Sequence, residues 1–177
     1  MLAKGRVSFP LDEFIEETGL TPTAAKSQLL RLDGWTVRVA RMQRYFLIVS
    51  PEHRAFGGPP VGWWLDDYFG WLGRPYYLAL QSAAATYGSE PQALQITQVM
   101  TDRPRRDIKI GRQRVRFFVK RRIERTATIL PANSFAPLRV STPEATAFDL
   151  IRYESRIGGM GGVIETLAPL LPLMRPG

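Results

Sequence analysis

The residues best able to do chemistry in this sequence are basic, and they are concentrated in one stretch, 103–125. Eleven arginines and lysines stand there against Asp107 and Glu124, and eleven positive minus two negative charges gives +9. The whole chain of 177 residues has a net charge of +8, so its positive charge is focused in this segment. Guanidinium groups bind phosphate oxygens through parallel hydrogen bonds. The segment therefore predicts contact with a polyanion, and we expect that polyanion to be double-stranded DNA.

The basic segment has the pattern of a β-hairpin. Gly111-Arg112 suits a two-residue turn with glycine first, between predicted strands over 106–110 and 113–120. Side chains alternate along the second strand, so we expect one face to pack on a core and the other to form a basic ladder. The expected ladder is Arg114, Arg116, Phe118 and Lys120, and the expected core face is Val115, Phe117 and Val119. Adjacent like charges repel, so the ladder indicates an anionic partner.

Residues 9–32 have the pattern of a helix, a tight turn and a second helix. Thr21 is a predicted N-cap, and Pro22 suits the first position of the second helix. Two short strands follow within 35–50, joined by a loop that contains Arg41 and Arg44. This order is typical of a winged helix-turn-helix, in which the second helix enters the major groove of DNA. That fold ordinarily has a further helix before this pair, and the first eight residues are too few to supply it.

A run of glycines and prolines, 57–60, divides the chain, because it cannot continue a helix or a strand. We therefore predict an α+β protein with two domains, a winged helix-turn-helix DNA-binding domain at 1–56 and an α/β domain with the basic hairpin at 61–177. Further helices are predicted over 61–72, 77–87, 141–153 and 163–171. Further strands are predicted over 94–100, 129–130 and 138–140, and the glycines of 158–162 are predicted to form a connector.

Enzymatic chemistry has weak support in the sequence. There is no cysteine, and the single histidine, His53, has no evident catalytic partner. Asp107-Ile108-Lys109 has the acid-x-lysine spacing of some metal-dependent nucleases, but such a site needs further acids to hold its metal. The glycines of 158–162 lack the lysine and hydroxyl residue of a phosphate loop. We expect a protein that is not an enzyme and has no cofactor and no metal, with a nuclease kept as a third alternative.

The same composition bears on location. No stretch approaches the ~20 apolar residues of a membrane span, and the first residues lack the apolar run of a signal peptide. We therefore expect a cytoplasmic protein with no membrane partner.

Three segments that follow the predicted winged domain resemble the AbiEi-type antitoxins of type IV toxin–antitoxin and abortive-infection systems. They are RPYYLALQSAAATYG, QITQVMTDRPRRDIKIGRQRVRFF and LRVSTPEATAFDLIRY, and the similarity extends from about residue 9 to residue 153. The resemblance implies an N-terminal domain that binds operator DNA and represses its own operon. It also implies a C-terminal domain that assists DNA binding and has antitoxin activity. The implied functional partner is a nucleotidyltransferase-like toxin, neutralised without a stable complex.

We therefore predict a DNA-binding autorepressor that is also an antitoxin of phage defence. In its second helix we expect the inward-facing side chains to be Ala25, Leu29, Leu30 and Leu32. The expected major-groove residues are Thr21, Thr23, Lys26, Ser27 and Arg31, and the expected wing residues are Arg41 and Arg44. The expected contacts to the DNA backbone are Arg106, Lys109, Arg112, Arg114 and Arg116. A protein- or RNA-binding module without operator specificity is the alternative.

Overall fold

A computed structural model describes residues 5–89, 96–132 and 134–174. In these ranges the chain folds into two β-sheets and six α-helices, which confirms the α+β class. The small sheet has the strand order β1-β3-β2 and is antiparallel throughout. Its strands are β1 (Ser8–Pro10), β2 (Thr36–Arg38) and β3 (Tyr45–Ile48).

The large sheet has six strands in the order β6-β7-β5-β4-β9-β8. It is mixed, because β5 runs parallel to β7 and β4 parallel to β9, whereas the other neighbours are antiparallel. Its strands are β4 (Tyr76–Leu78), β5 (Ile96–Thr101), β6 (Ile108–Ile110), β7 (Gln113–Val119), β8 (Thr128–Ile129) and β9 (Val140–Ser141).

Two of the six described helices begin with a side-chain cap, and the cap predicted at Thr21 is confirmed. The side chains of Thr21 and Thr142 accept hydrogen bonds from the backbone N–H groups of Ala24 and Ala145, each over 3.3 Å. Both caps are followed by a proline at the first helical position, where its missing N–H removes no bond. The helices are α1 (Leu11–Thr18), α2 (Pro22–Arg31), α3 (Leu65–Leu72), α4 (Leu80–Ala85), α5 (Pro143–Arg152) and α6 (Gly159–Leu167).

The small sheet is covered on both faces, because the side chains of β3 alternate between two cores. Phe46 and Ile48 pack with Phe9, Ala25 and Leu29 under α1 and α2. On the opposite face, Tyr45 and Leu47 belong to a core that extends across the 57–60 boundary to α3 and the large sheet. The predicted division at 56 and 61 therefore separates segments that share one core.

The large sheet is likewise buried on both faces. Tyr76 and Leu78 of β4 face the core shared with the small sheet, whereas Tyr77 between them faces a second core formed with α4, α5 and α6. The predicted helix over 77–87 is therefore wrong at its start, because the alternation of β4 between two cores overrides the helical tendency of the alanines. Those alanines do form a helix, α4.

Several other predicted elements differ from the structure by a few residues at their edges. The predicted strand over 94–100 begins on residues outside the described ranges, and the described strand β5 runs from Ile96 to Thr101. The last helix begins at Gly159, so Gly161 and Gly162 lie inside α6 instead of in a connector. Glycine weakens a helix interior, but here Val163 and Leu170 are fully buried and hold this segment against the second core.

The turn of the β6–β7 hairpin docks directly on the segment that joins the two sheets. The backbone N–H of Arg112 donates to the carbonyl of Phe56 over 3.1 Å, and the Nε2 atom of Gln113 donates to the carbonyl of Gly58 over 2.7 Å. Gly57 and Gly111, both at positive φ, meet so closely that a Cβ on Gly57 would lie 2.6 Å from the Cα of Gly111. Only two glycines permit this approach.

We expect Gly111→Ala to lower the free energy of unfolding by about 3 kcal/mol, because it adds a backbone clash to left-handed strain. The matched control is Gly73→Ala, where φ is also positive but a Cβ meets no atom within 4 Å. We expect this control to cost only about 1 kcal/mol. Urea denaturation measures both, and equal losses would contradict the close docking of the hairpin.

Candidate nucleic-acid interface

Helix α2 presents one exposed stripe of mostly small and polar side chains. Only Ala25 and Leu29 of this helix are buried. The exposed stripe repeats at helical spacing and comprises Thr23, Lys26, Ser27, Leu30 and Arg31. The expectation that Leu30 faces inward is wrong, since 75% of its surface is exposed. A leucine at helical spacing ordinarily indicates a core residue, so the sequence pattern does not show that Leu30 lies in the middle of the exposed stripe. Thr21 is exposed and caps α2 through its hydroxyl.

The loop between β2 and β3 is fixed to the helices that precede it. The backbone carbonyl of Arg44 accepts a hydrogen bond from the N–H of Leu11, at the start of α1, over 2.8 Å. Arg38 donates from its Nη1 atom to the carbonyl of Arg41 over 3.1 Å, which supports the loop from within. The side chains of Arg41 and Arg44 are both exposed. The structure therefore presents two cations at a defined place beside α1 and α2.

The β6–β7 hairpin has the predicted turn, with Ile110 paired to Gln113 across Gly111-Arg112. Lys109 and Arg114 are direct cross-strand partners, both are exposed, and neither forms an ion pair with a described residue. Like charges in that position destabilise a sheet. The pair is therefore an unfavourable feature of the free protein. Arg106 and Arg112 are also exposed.

The basic ladder expected along β7 is shorter than predicted. Phe118 is buried in the second core, because α5 and α6 cover this face of the sheet beyond the hairpin end. Lys120 is also withdrawn from solvent, and its Nζ atom lies 2.7 Å from the buried carboxylate of Asp149. Arg116 remains half exposed, with its Nε atom 3.5 Å from a carboxylate oxygen of Asp107. The cations left without an acidic partner in this strand lie near the turn.

Asp149 is held by two donors inside the second core. Tyr77 donates its hydroxyl to one carboxylate oxygen over 2.7 Å, while Lys120 donates to the other. Burial, and then the hydrogen bond to Asp149, raise the pKa of Tyr77 above its ordinary value, so this phenol stays protonated and keeps donating. A fully hydrogen-bonded buried pair of this kind positions the end of β7 against α5.

Two of the residues considered for catalysis, Asp107 and His53, have structural partners. Asp107 pairs with Arg116, and His53 bonds through Nδ1 to the hydroxyl of Ser50 over 2.9 Å while its ring stands edge-on to Trp63. Across the described ranges no group of three or more His, Cys, Asp or Glu side chains could hold a metal ion. In the same ranges no helix is both long and apolar enough to cross a membrane.

The sites expected from the sequence thus fall into three exposed groups: the α2 stripe, the β2–β3 loop and the hairpin turn. The hairpin turn and the N-terminal elements are linked through residues 56–58, which the turn contacts directly. Of the expected residues, Arg116 is the one with an ion pair to a described acid.

The unfavourable Lys109–Arg114 pair makes a prediction that separates binding from stability. We expect Lys109→Thr to raise the free energy of unfolding by a few tenths of a kcal/mol, because it removes a cross-strand repulsion. The same change should elute the protein from heparin at lower salt, because one cation is lost. Urea denaturation and heparin chromatography measure the two effects. The control Arg116→Thr removes a cation that Asp107 offsets, and should not stabilise the protein. Destabilisation by Lys109→Thr would contradict the assignment.

The chain is similar to one protein family in sequence and to a solved structure in fold. The family model described as AbiEi antitoxin C-terminal domain matches residues 77–176, which is more than half of the chain. Among solved structures, the chain is similar to an antigenic nucleotidyltransferase-like protein from Paracoccidioides brasiliensis, with 10% identity and a TM-score of 0.48. That similarity covers 64% of this chain and 74% of the other. A search of curated proteins found no match.

Proposed function

Because this chain belongs to the AbiEi antitoxin family, the antitoxins of type IV toxin–antitoxin systems, we propose that it binds the operator of its own operon and represses transcription. The observation that supports this most directly is the exposed α2 stripe and a loop with two cations, both on the small sheet, with the basic hairpin turn of the large sheet docked on the segment that joins the two sheets. Hydroxyl and amine side chains on such a helix can reach base edges, while arginines bind phosphate oxygens.

The N-terminal elements support a winged helix-turn-helix. Two helices precede β2, the strand order is β1-β3-β2, and the β2–β3 loop is the wing. A third helix, α3, comes later in the chain and packs on the small sheet. Tyr68 of α3 packs edge-on to Tyr45 of β3 with ring centroids 5.3 Å apart, and Trp64 and Leu65 are buried in the same core. We propose that α3 supports the DNA-reading unit from the face opposite α2.

The three exposed groups have different roles in this proposal. Side chains of α2 read the major groove and determine the sequence that is bound. The wing and hairpin cations neutralise phosphates, which adds affinity and fixes the register without reading sequence. The proposed set is Thr21, Thr23, Lys26, Ser27 and Arg31 for the major groove, Arg41 and Arg44 for the wing, and Arg106, Lys109, Arg112, Arg114 and Arg116 for the backbone.

We further propose that the functional partner is a nucleotidyltransferase-like toxin, neutralised without a stable complex, and that the protein acts in the cytoplasm without catalysing a reaction. The family assignment supports an antitoxin role, and Asp107 and His53 are engaged in an ion pair and a hydrogen bond. Recovery of a stoichiometric toxin complex by gel filtration would contradict the first part of this proposal.

Operator binding is tested by fluorescence anisotropy with a duplex from the upstream region of the operon and a scrambled duplex of equal length. We expect the full chain to prefer the operator by about a thousandfold or more.

Lys26→Ala should weaken operator binding by about 1–3 kcal/mol, because α2 loses a contact in the groove. Arg152→Ala, which removes an exposed cation from α5, is the matched control and should bind normally. Equal affinity for both duplexes would instead support the alternative of a general polyanion-binding module.

A further inference from the structure

An open cleft of about 1160 Å³ lies between the segment that joins the two sheets and the basic hairpin. Residues 53–62 form one wall, the hairpin turn forms another, and β5 and the end of α4 complete it. Clefts of about 300–1000 Å³ at the junction of two structural units are common places for small ligands. This cleft is of sufficient size, and the large sheet and the segment that joins it to the small sheet both contribute to it.

One wall of the cleft is cationic. It presents Lys109, Arg112 and Arg114, and no described residue that lines the cleft is acidic. Because Lys109 and Arg114 repel each other across the hairpin, an anion bound between them would relieve a strain that the free protein retains. These three cations have no acidic partner among the described residues, so they suit a ligand with several anionic oxygens better than a single carboxylate.

The remaining walls are apolar and contain a few hydrogen-bonding groups. Ile96 and Leu138 contribute aliphatic surface, and Phe56, which is 53% exposed, contributes an aromatic face at the rim. Thr97 supplies a hydroxyl group, whereas the hydroxyl of Ser82 is engaged by the backbone of Ile96 and Gln98. Planar rings bind by stacking on exposed aromatic side chains, and hydroxyls can pair with the edges of such rings.

The walls are held in place before any ligand arrives. The hydrogen bonds from Arg112 and Gln113 to the carbonyls of Phe56 and Gly58, together with the Gly57–Gly111 contact, join the cationic wall to the aromatic one. A prearranged site loses little conformational freedom on binding.

From this combination we propose that the cleft binds a nucleoside phosphate. The phosphate oxygens lie against Lys109, Arg112 and Arg114, and the base lies on the apolar side near Phe56 and Ile96. No bond is made or broken in the cleft. This inference does not depend on operator recognition, because it concerns a small ligand and rests on the cleft alone.

If the same three cations also contact the DNA backbone, as proposed above, the nucleotide and DNA compete for them. That consequence rests on the proposed function, whereas nucleotide binding does not. The two are separated by measuring nucleotide binding in the absence of DNA. Lys26→Ala should weaken operator binding and leave nucleotide binding unchanged.

The direct test is isothermal titration of the full chain with ATP, GTP, CTP and UTP, and with tripolyphosphate as a probe that has the charge but no base. We expect at least one nucleotide to bind about tenfold or more tightly than tripolyphosphate, because the apolar walls contact only the nucleoside. Equal affinities would overturn the proposal and indicate an unspecific anion patch. Binding of a single-stranded oligonucleotide without binding of any mononucleotide would also overturn it.

A matched pair of substitutions tests the location. Ala85→Trp places a large ring in the cleft from the exposed end of α4, and should weaken nucleotide binding about tenfold or more without removing a charge. Ala168→Trp adds the same ring at the exposed end of α6, outside the residues that line the cleft, and should bind normally. Arg114→Ala provides a second variant that reduces affinity by loss of charge. Normal binding by both Ala85→Trp and Arg114→Ala would place the ligand elsewhere and overturn the proposal.

Discussion

The backbone contact between Gly57 and Gly111 is the constraint on which the rest of the arrangement depends. It brings the hairpin turn onto the segment between the two sheets and is reinforced by the bond from Arg112 to the carbonyl of Phe56. Because a side chain at either glycine would separate the two backbones, the sequence must have glycine at both places. The contact fixes the cationic turn relative to α2 and the wing, and it closes one end of the cleft.

The distribution of charge follows from what each cation contacts. Lys120 and Arg116 have acidic partners and support the fold, whereas Lys109 and Arg114 face each other without an acidic partner among the described residues. A sheet retains such a repulsion at a cost of a few tenths of a kcal/mol, and an anion bound between the two cations would offset that cost.

Local signals in the sequence were sufficient for the hairpin turn, for the caps at Thr21 and Thr142, and for the helices that follow them. The pattern could not show that β7 is covered on both faces, since alternation in one strand contains no information about what packs over it. The alternation therefore predicts an exposed face for Phe118 and Lys120. Helical spacing likewise predicts a core position for Leu30. The sequence pattern also does not show that α3 packs on the small sheet, because the contact between Tyr68 and Tyr45 joins residues far apart in the chain.

We propose that the hairpin turn and the N-terminal elements bind the same DNA. The most direct measurement is the dependence of operator affinity on salt concentration, for the full chain and for the double variant Lys109→Ala/Arg114→Ala. If both cations neutralise phosphates, the slope of log affinity against log salt becomes shallower by about 2 in the double variant, while preference for the operator sequence is retained. An unchanged slope would show that the hairpin lies off the DNA and would contradict the account.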